Sequence, residues 1–179
     1  MSWKVWLLVS IGAVLVGLCE ATFLTILPSP WREIHPVLSV AVIFVVLGRS
    51  RAGMAWAAIA GLMIDLYAVG PSSFSFARLL LTVALVSMLS LSILTNRSIY
   101  ATVVLMLFGR GADWAIRRVT SAVSDALFHA YMPVESFRGL ATSMAWDVAL
   151  VAVTFVVIAS FTKRFLVTAP HGYRGYDDI

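Results

Sequence analysis

The sequence predicts an all-α fold, a polytopic membrane helix bundle of about six transmembrane helices. Three observations carry that reading. Hydrophobic residues make up 61% of the 179 residues and charged residues only 12%, against about 25% charged in a soluble domain. A chain of this length cannot hide so much apolar surface from water in its own core, so lipid must cover it. The apolar residues also fall in runs near the roughly 20 that a spanning helix needs, separated by short polar breaks with basic residues singly or in pairs. The length suits one domain. Residues 1–167 are read as the bundle, and the polar, glycine-containing stretch 168–179 as a disordered cytoplasmic tail.

The first span is Val5 to Leu27, with Trp3 and Trp6 as interfacial anchors and Pro28 and Pro30 ending it. The second runs from Pro36 to Leu47 and is short, unless Trp31 to His35 extend it. Arg49, Ser50 and Arg51 form a basic turn. The third, Ala52 to Val69, holds Gly53, Gly61 and several alanines, small residues that let helices approach closely in lipid. Gly70 to Ser73 break the chain, and a serine there can cap the next helix. The fourth span is Phe74 to Leu94, followed by a turn at Asn96 and Arg97. The fifth begins near Ile99 and reaches about Ile116. Between Val119 and Tyr131 the apolar residues keep helical spacing, which fits either a helix lying on the membrane surface or an extension of the fifth span. The sixth is Gly139 to Phe161, closed by Lys163 and Arg164.

With six spans, Lys4, Arg49, Arg51, Arg97, Lys163 and Arg164 fall on one side, while Arg32, Arg117, Arg118 and Arg138 fall on the other. The positive-inside rule makes the first side cytoplasmic and puts both termini there.

Ionisable residues inside the spans carry the functional interest, because each is costly in hydrocarbon. There are six: Glu20, Asp65, Arg78, Arg110, Asp113 and Asp147. At about 1.5 Å per residue, all six belong to the outer half of the membrane. They are expected to face the bundle interior and pair with one another. Arg110 and Asp113, three apart, share a helix face and suit a local pair. Three roles are open for this layer: internal bracing that fixes helix order and register, the lining of a pocket or partner site open to the outside, or a proton relay, which the lack of any histidine inside a span disfavours.

Other chemistries find little support. Cys19 is the single cysteine, which excludes an intramolecular disulfide and a CxxC metal site. Val16-Gly17-Leu18-Cys19 loosely matches a lipoprotein cleavage site, but the bulky Leu18 argues against it. His35, His129 and His171 are scattered over a loop, the Val119–Tyr131 stretch and the tail, so no metal set or catalytic triad is read. There is no glycine-rich phosphate loop, and the isolated basic residues do not form a nucleic-acid patch. No catalytic residue, metal or cofactor is expected, and membrane lipid is the one partner that composition itself implies.

From His35 onward the order of features resembles MreD, the small membrane subunit of the bacterial rod-shape complex. The features are Pro36-Val37-Leu38 leading an apolar run, the Arg49-Ser50-Arg51 basic turn, and Gly61-Leu62-Met63-Ile64-Asp65-Leu66 with its Gly-x-x-x-Asp. The small-residue break at Gly70-Pro71 and a further apolar helix follow. The resemblance covers about Pro36 to Leu94. It departs from the family at Pro71-Ser72-Ser73-Phe74, where a glycine-rich turn is usual, and at Arg78. It implies a non-enzymatic scaffold of the elongation machinery in the bacterial cytoplasmic membrane. Its partners would be an MreC-like protein, a RodA-like glycosyltransferase, a class B penicillin-binding protein and MreB. Asp65 would be the family's aspartate. The family is also similar to the substrate-binding subunits of energy-coupling-factor vitamin transporters, six-helix bundles with an outward pocket, which supplies the alternative function.

Overall fold

The computed structural model describes residues 3–28, 34–67, 74–93, 99–128 and 136–166. Among them the fold is all helical. Helix α1 is Trp3–Ile26, α2 Pro36–Val46, α3 Ser50–Tyr67, α4 Ser75–Ile93, α5 Ile99–Phe128 and α6 Phe137–Leu166. Four of these, α1, α4, α5 and α6, are long and apolar enough to cross a membrane. That marks the chain as a multi-pass membrane protein.

Helix α2 occupies the centre. It packs against all five other helices, and Val37, Leu38, Ser39, Ala41, Val42, Ile43, Val45 and Val46 are all buried. An 11-residue helix that is apolar on every side has this as its natural place. It starts abruptly at Pro36, whose fixed φ suits a first helical position, and Ile34 and His35 are not helical. The helix is therefore not lengthened through these two residues; Trp31 to Glu33 lie outside the described residues. Around α2 the packing runs α1, α3, α4, α5, α6 in that order.

The turn from α2 to α3 is a Schellman cap. Gly48 sits at φ 73°, and its N–H and that of Arg49 bond back to Val45 and Phe44. Trp56 of α3 then donates its indole N–H to the Val37 carbonyl at 3.2 Å and tilts against Phe44. Two glycines set close approaches. A Cβ on Gly17 would lie 2.9 Å from the Ala60 carbonyl oxygen, so α1 and α3 touch backbone to backbone there. A Cβ on Gly61 would lie 2.8 Å from Phe76 Cα, so the first turn of α4 rests directly on α3.

Helix α5 runs unbroken to Phe128, so the stretch from Val119 to Phe128 extends the fifth helix instead of forming a separate surface helix. Just before this extension Arg118 stacks over Trp114, 5.1 Å from the ring centre. His129 to Tyr131 and the tail from Val167 lie outside the described residues. Towards lipid the bundle presents large apolar side chains on every outer helix, among them Leu8, Leu15, Leu62, Met88, Val104 and Val153.

Candidate functional site: a buried layer of helix caps and ion pairs

The site starts from a local irregularity. Over Cys19–Phe23 helix α1 widens into a π-turn, in which the Leu24 N–H bonds to the Cys19 carbonyl. Thr22 and Thr25 fold their hydroxyls back onto backbone carbonyls in the same stretch. The extra residue turns Glu20 toward the start of α2, while Cys19 remains exposed. Such π-turns recur at functional positions.

Glu20 caps α2. One carboxylate oxygen accepts the Val37 N–H at 3.0 Å and the other contacts His35 Nδ1 at 3.0 Å. Asp147 of α6 acts at the same end, accepting the His35 N–H at 2.8 Å. A helix that begins inside a bundle has amide groups with no intrahelical acceptor and a positive dipole end. Two acids from neighbouring helices supply both the acceptors and the countercharge. His35 sits in the connection before α2. Burial first, then the charges of Arg110 and Arg117, hold its imidazole well below its usual range. A neutral ring with its proton on Nδ1 donates to Glu20.

Asp65 does the same for α4. Its two carboxylate oxygens accept the Ser75 N–H at 2.7 Å and the Phe76 N–H at 2.9 Å. Asp65 therefore does not pair with an arginine of the layer. Its partner is the end of a helix, reached because Gly61, one turn earlier on the same face, lets α4 settle close. Glycine and aspartate four apart thus form one device: the first admits the helix start and the second caps it. Ser72 and Ser73, the residues expected to cap α4, lie outside the described residues. Residue 74 is a phenylalanine at φ 47° with no capping oxygen of its own.

The fourth acid, Asp113 of α5, is the hub of the cations. Arg78 Nε of α4 lies 2.9 Å from Oδ1, while Arg117 Nε lies 3.1 Å and Arg110 Nη1 3.6 Å from Oδ2. Arg110 uses its whole guanidinium: Nε faces Asp147 at 2.9 Å, Nη1 faces Asp113, and Nη2 donates to Ser143 Oγ at 2.6 Å. Arg110 is 1% exposed and Asp147 0%. The innermost quartet of Arg78, Arg110, Asp113 and Asp147 is formally neutral, which is the condition for keeping charge in a medium of low dielectric.

The structure thus brings together Glu20, Arg78, Arg110, Asp113 and Asp147 and sets Asp65 apart at the α3–α4 contact. It also recruits His35, Arg117 and Ser143, none of them singled out in the sequence. Arg117 and Ser143 had a readable signal, each lying four residues from an acid of the layer on the same helix. His35 had none beyond preceding a proline. Among the described residues no group of three or more potential metal ligands is placed to hold an ion. No known protein family, curated protein or solved structure matches this chain.

Proposed function

We propose that this chain is a membrane-embedded scaffold subunit of the MreD kind, without catalytic activity of its own. In this reading six helices thread the bacterial cytoplasmic membrane with both termini inside. They join an MreC-like protein, a RodA-like glycosyltransferase and a class B penicillin-binding protein to MreB. One observation carries the reading: the intramembrane acids serve the assembly of the bundle itself. Glu20, Asp147 and Asp65 cap helices from other helices, and Asp113 gathers arginines. The Gly-x-x-x-Asp, one of the ordered features that carry the resemblance to MreD, works here as a helix-docking device, Gly61 with Asp65. A rigid, internally satisfied bundle with broad apolar flanks is what a scaffold for other membrane proteins requires.

The six-span layout has its own support. Helix α3, with 18 residues, is about 27 Å long, close to the hydrocarbon thickness. Helix α2 is shorter but wrapped on all sides. Trp6 of α1 lies beside Gly48 to Ala52, so Lys4, Arg49 and Arg51 share one end of the bundle, as the positive-inside rule asks of a cytoplasmic face.

The test is affinity purification of the tagged protein from its own membranes in mild detergent, with mass spectrometry of what accompanies it. Recovery of an MreC-like protein, a RodA-like enzyme or the transpeptidase is expected. Asp65→Ala should insert at normal levels and recover less of them. Recovery of a small coupling protein with paired ATPases, or of a tightly bound vitamin, would replace the scaffold with a transporter subunit.

A further inference from the structure

The other end of the bundle holds a feature that the charge layer does not use. An open pocket of about 440 Å³ is lined by Trp6 of α1 and by Gly48, Arg49, Ser50, Arg51 and Ala52 of the α2–α3 turn. Its volume lies within the usual range of small-ligand sites. Both arginines are exposed, and neither pairs with a carboxylate among the described residues, in contrast to Arg78, Arg110 and Arg117 in the layer above. The turn is held by its glycine cap, and the Arg49 carbonyl takes the N–H groups of Ala52 and Gly53. The two guanidiniums therefore stand on a fixed backbone. The first turn of α3 points its positive dipole end the same way. Trp6 lies one turn into a helix that is long and apolar enough to cross the membrane, and an indole near the end of such a helix favours the headgroup level.

We propose that this pocket binds the phosphate of an anionic phospholipid headgroup. Arg49 and Arg51 grip the phosphate, and Trp6 packs against the glycerol and upper acyl region. Arginine suits this role because its planar fork matches phosphate oxygens. A lipid is the occupant that the position favours, since the pocket opens beside a lipid-facing stretch of α1 where Leu7 and Leu8 are exposed. Basic pockets at the ends of membrane helices recognise such headgroups.

The experiment uses the purified full-length chain in dodecyl maltoside, titrated with phosphatidylglycerol, phosphatidylcholine, inorganic phosphate or poly-glutamate and followed by native mass spectrometry. Phosphatidylglycerol should be retained in preference to phosphatidylcholine, and R49Q/R51Q should weaken that binding by roughly 30-fold, the worth of two basic groups near a membrane surface. R49K/R51K should restore part of it. R138Q, which removes an exposed arginine at the start of α6 on the opposite end of the bundle, should leave it unchanged. Equal retention of the two lipids, or an equal loss in R138Q, would overturn the proposal in favour of unspecific attraction. Displacement of the lipid by an equal concentration of inorganic phosphate would make the pocket a free-anion site. Preferential binding of poly-glutamate would make it a protein-docking site.

Discussion

Replacing Arg110 with leucine removes a guanidinium whose three nitrogens face Asp147, Asp113 and Ser143. Asp113 keeps Arg78 and Arg117, and Ser143 keeps its bond to the Leu140 carbonyl. Asp147 loses its arginine while buried, retaining the His35 N–H. Breaking a buried pair on one side costs about 3–5 kcal/mol, because the remaining charge has been stripped of water and partner alike. Asp147→Leu should cost a similar amount: Arg110 keeps Ser143 at 2.6 Å and Asp113 at 3.6 Å but loses the carboxylate at 2.9 Å, and the His35 N–H loses its acceptor. In R110L/D147L both charges are gone together. The double variant should then cost only about 1–3 kcal/mol, the penalty of leaving the buried His35 N–H without its Asp147 acceptor. The singles would sum to about 6–10 kcal/mol, so the cycle should yield a coupling of several kcal/mol. Equilibrium unfolding in mixed dodecyl maltoside and SDS micelles, followed by tryptophan fluorescence, measures all four corners. A double variant destabilised by the full sum would refute the reasoning, since the two residues would then contribute independently.

Two further predictions concern the helix starts. Gly61→Ala should lose about 1–3 kcal/mol, because the new methyl meets Phe76 Cα at 2.8 Å and that backbone cannot yield cheaply. Gly111→Ala, whose methyl meets only the flexible end of Met144 at 3.9 Å, should be neutral or gain up to about 1 kcal/mol from helix propensity, and the same unfolding assay reads the opposite signs. With the His35 proton on Nδ1, Glu20→Gln keeps one acceptor but turns an amide NH₂ toward either that N–H or the Val37 N–H. It should cost about 1–3 kcal/mol and speed hydrogen exchange at the Val37 amide, and unchanged exchange there would remove Glu20 as the cap of α2.

The long apolar helices were legible in the sequence because lipid imposes one signal, length of apolar run, that does not depend on which neighbours a helix meets. The boundaries fell within a few residues for α1, α3 and α4. For the fifth, the extension to Phe128 was one of two open readings, because the polar residues around Arg117 and Arg118 look like an interface when Asp113 and Trp114, their partners, are not known to be facing them. Five of the six charges expected to pair, Glu20, Arg78, Arg110, Asp113 and Asp147, do gather in one cluster, while Asp65 lies apart on the start of α4. The role of the acids was not legible. Capping by Glu20, Asp65 and Asp147 takes place between helices, and a sequence pattern for a cap reads only the few residues next to the helix start. Asp65 and Ser75 are ten residues apart with a turn between them, and Asp147 and His35 are separated by most of the chain. Those meetings are decided by packing at Gly61 and around α2, which single-residue reasoning does not reach.

The brevity of α2 bears on how the protein is made. Eleven residues give a helix of about 16 Å, roughly half the hydrocarbon thickness. Released alone from the insertion machinery, such a segment would leave the amides at its start facing acyl chains with no acceptor in reach. Its entry must therefore be a joint decision. The tight glycine turn couples it to α3 as a hairpin, the carboxylate of α1 is already waiting when Val37 arrives, and Asp147 comes only after a further hundred or so residues have been synthesised. The core helix of the finished bundle is thus the one least able to enter the membrane by itself. Until the last helix closes over it, the half-built protein lacks the Asp147 acceptor for the His35 N–H.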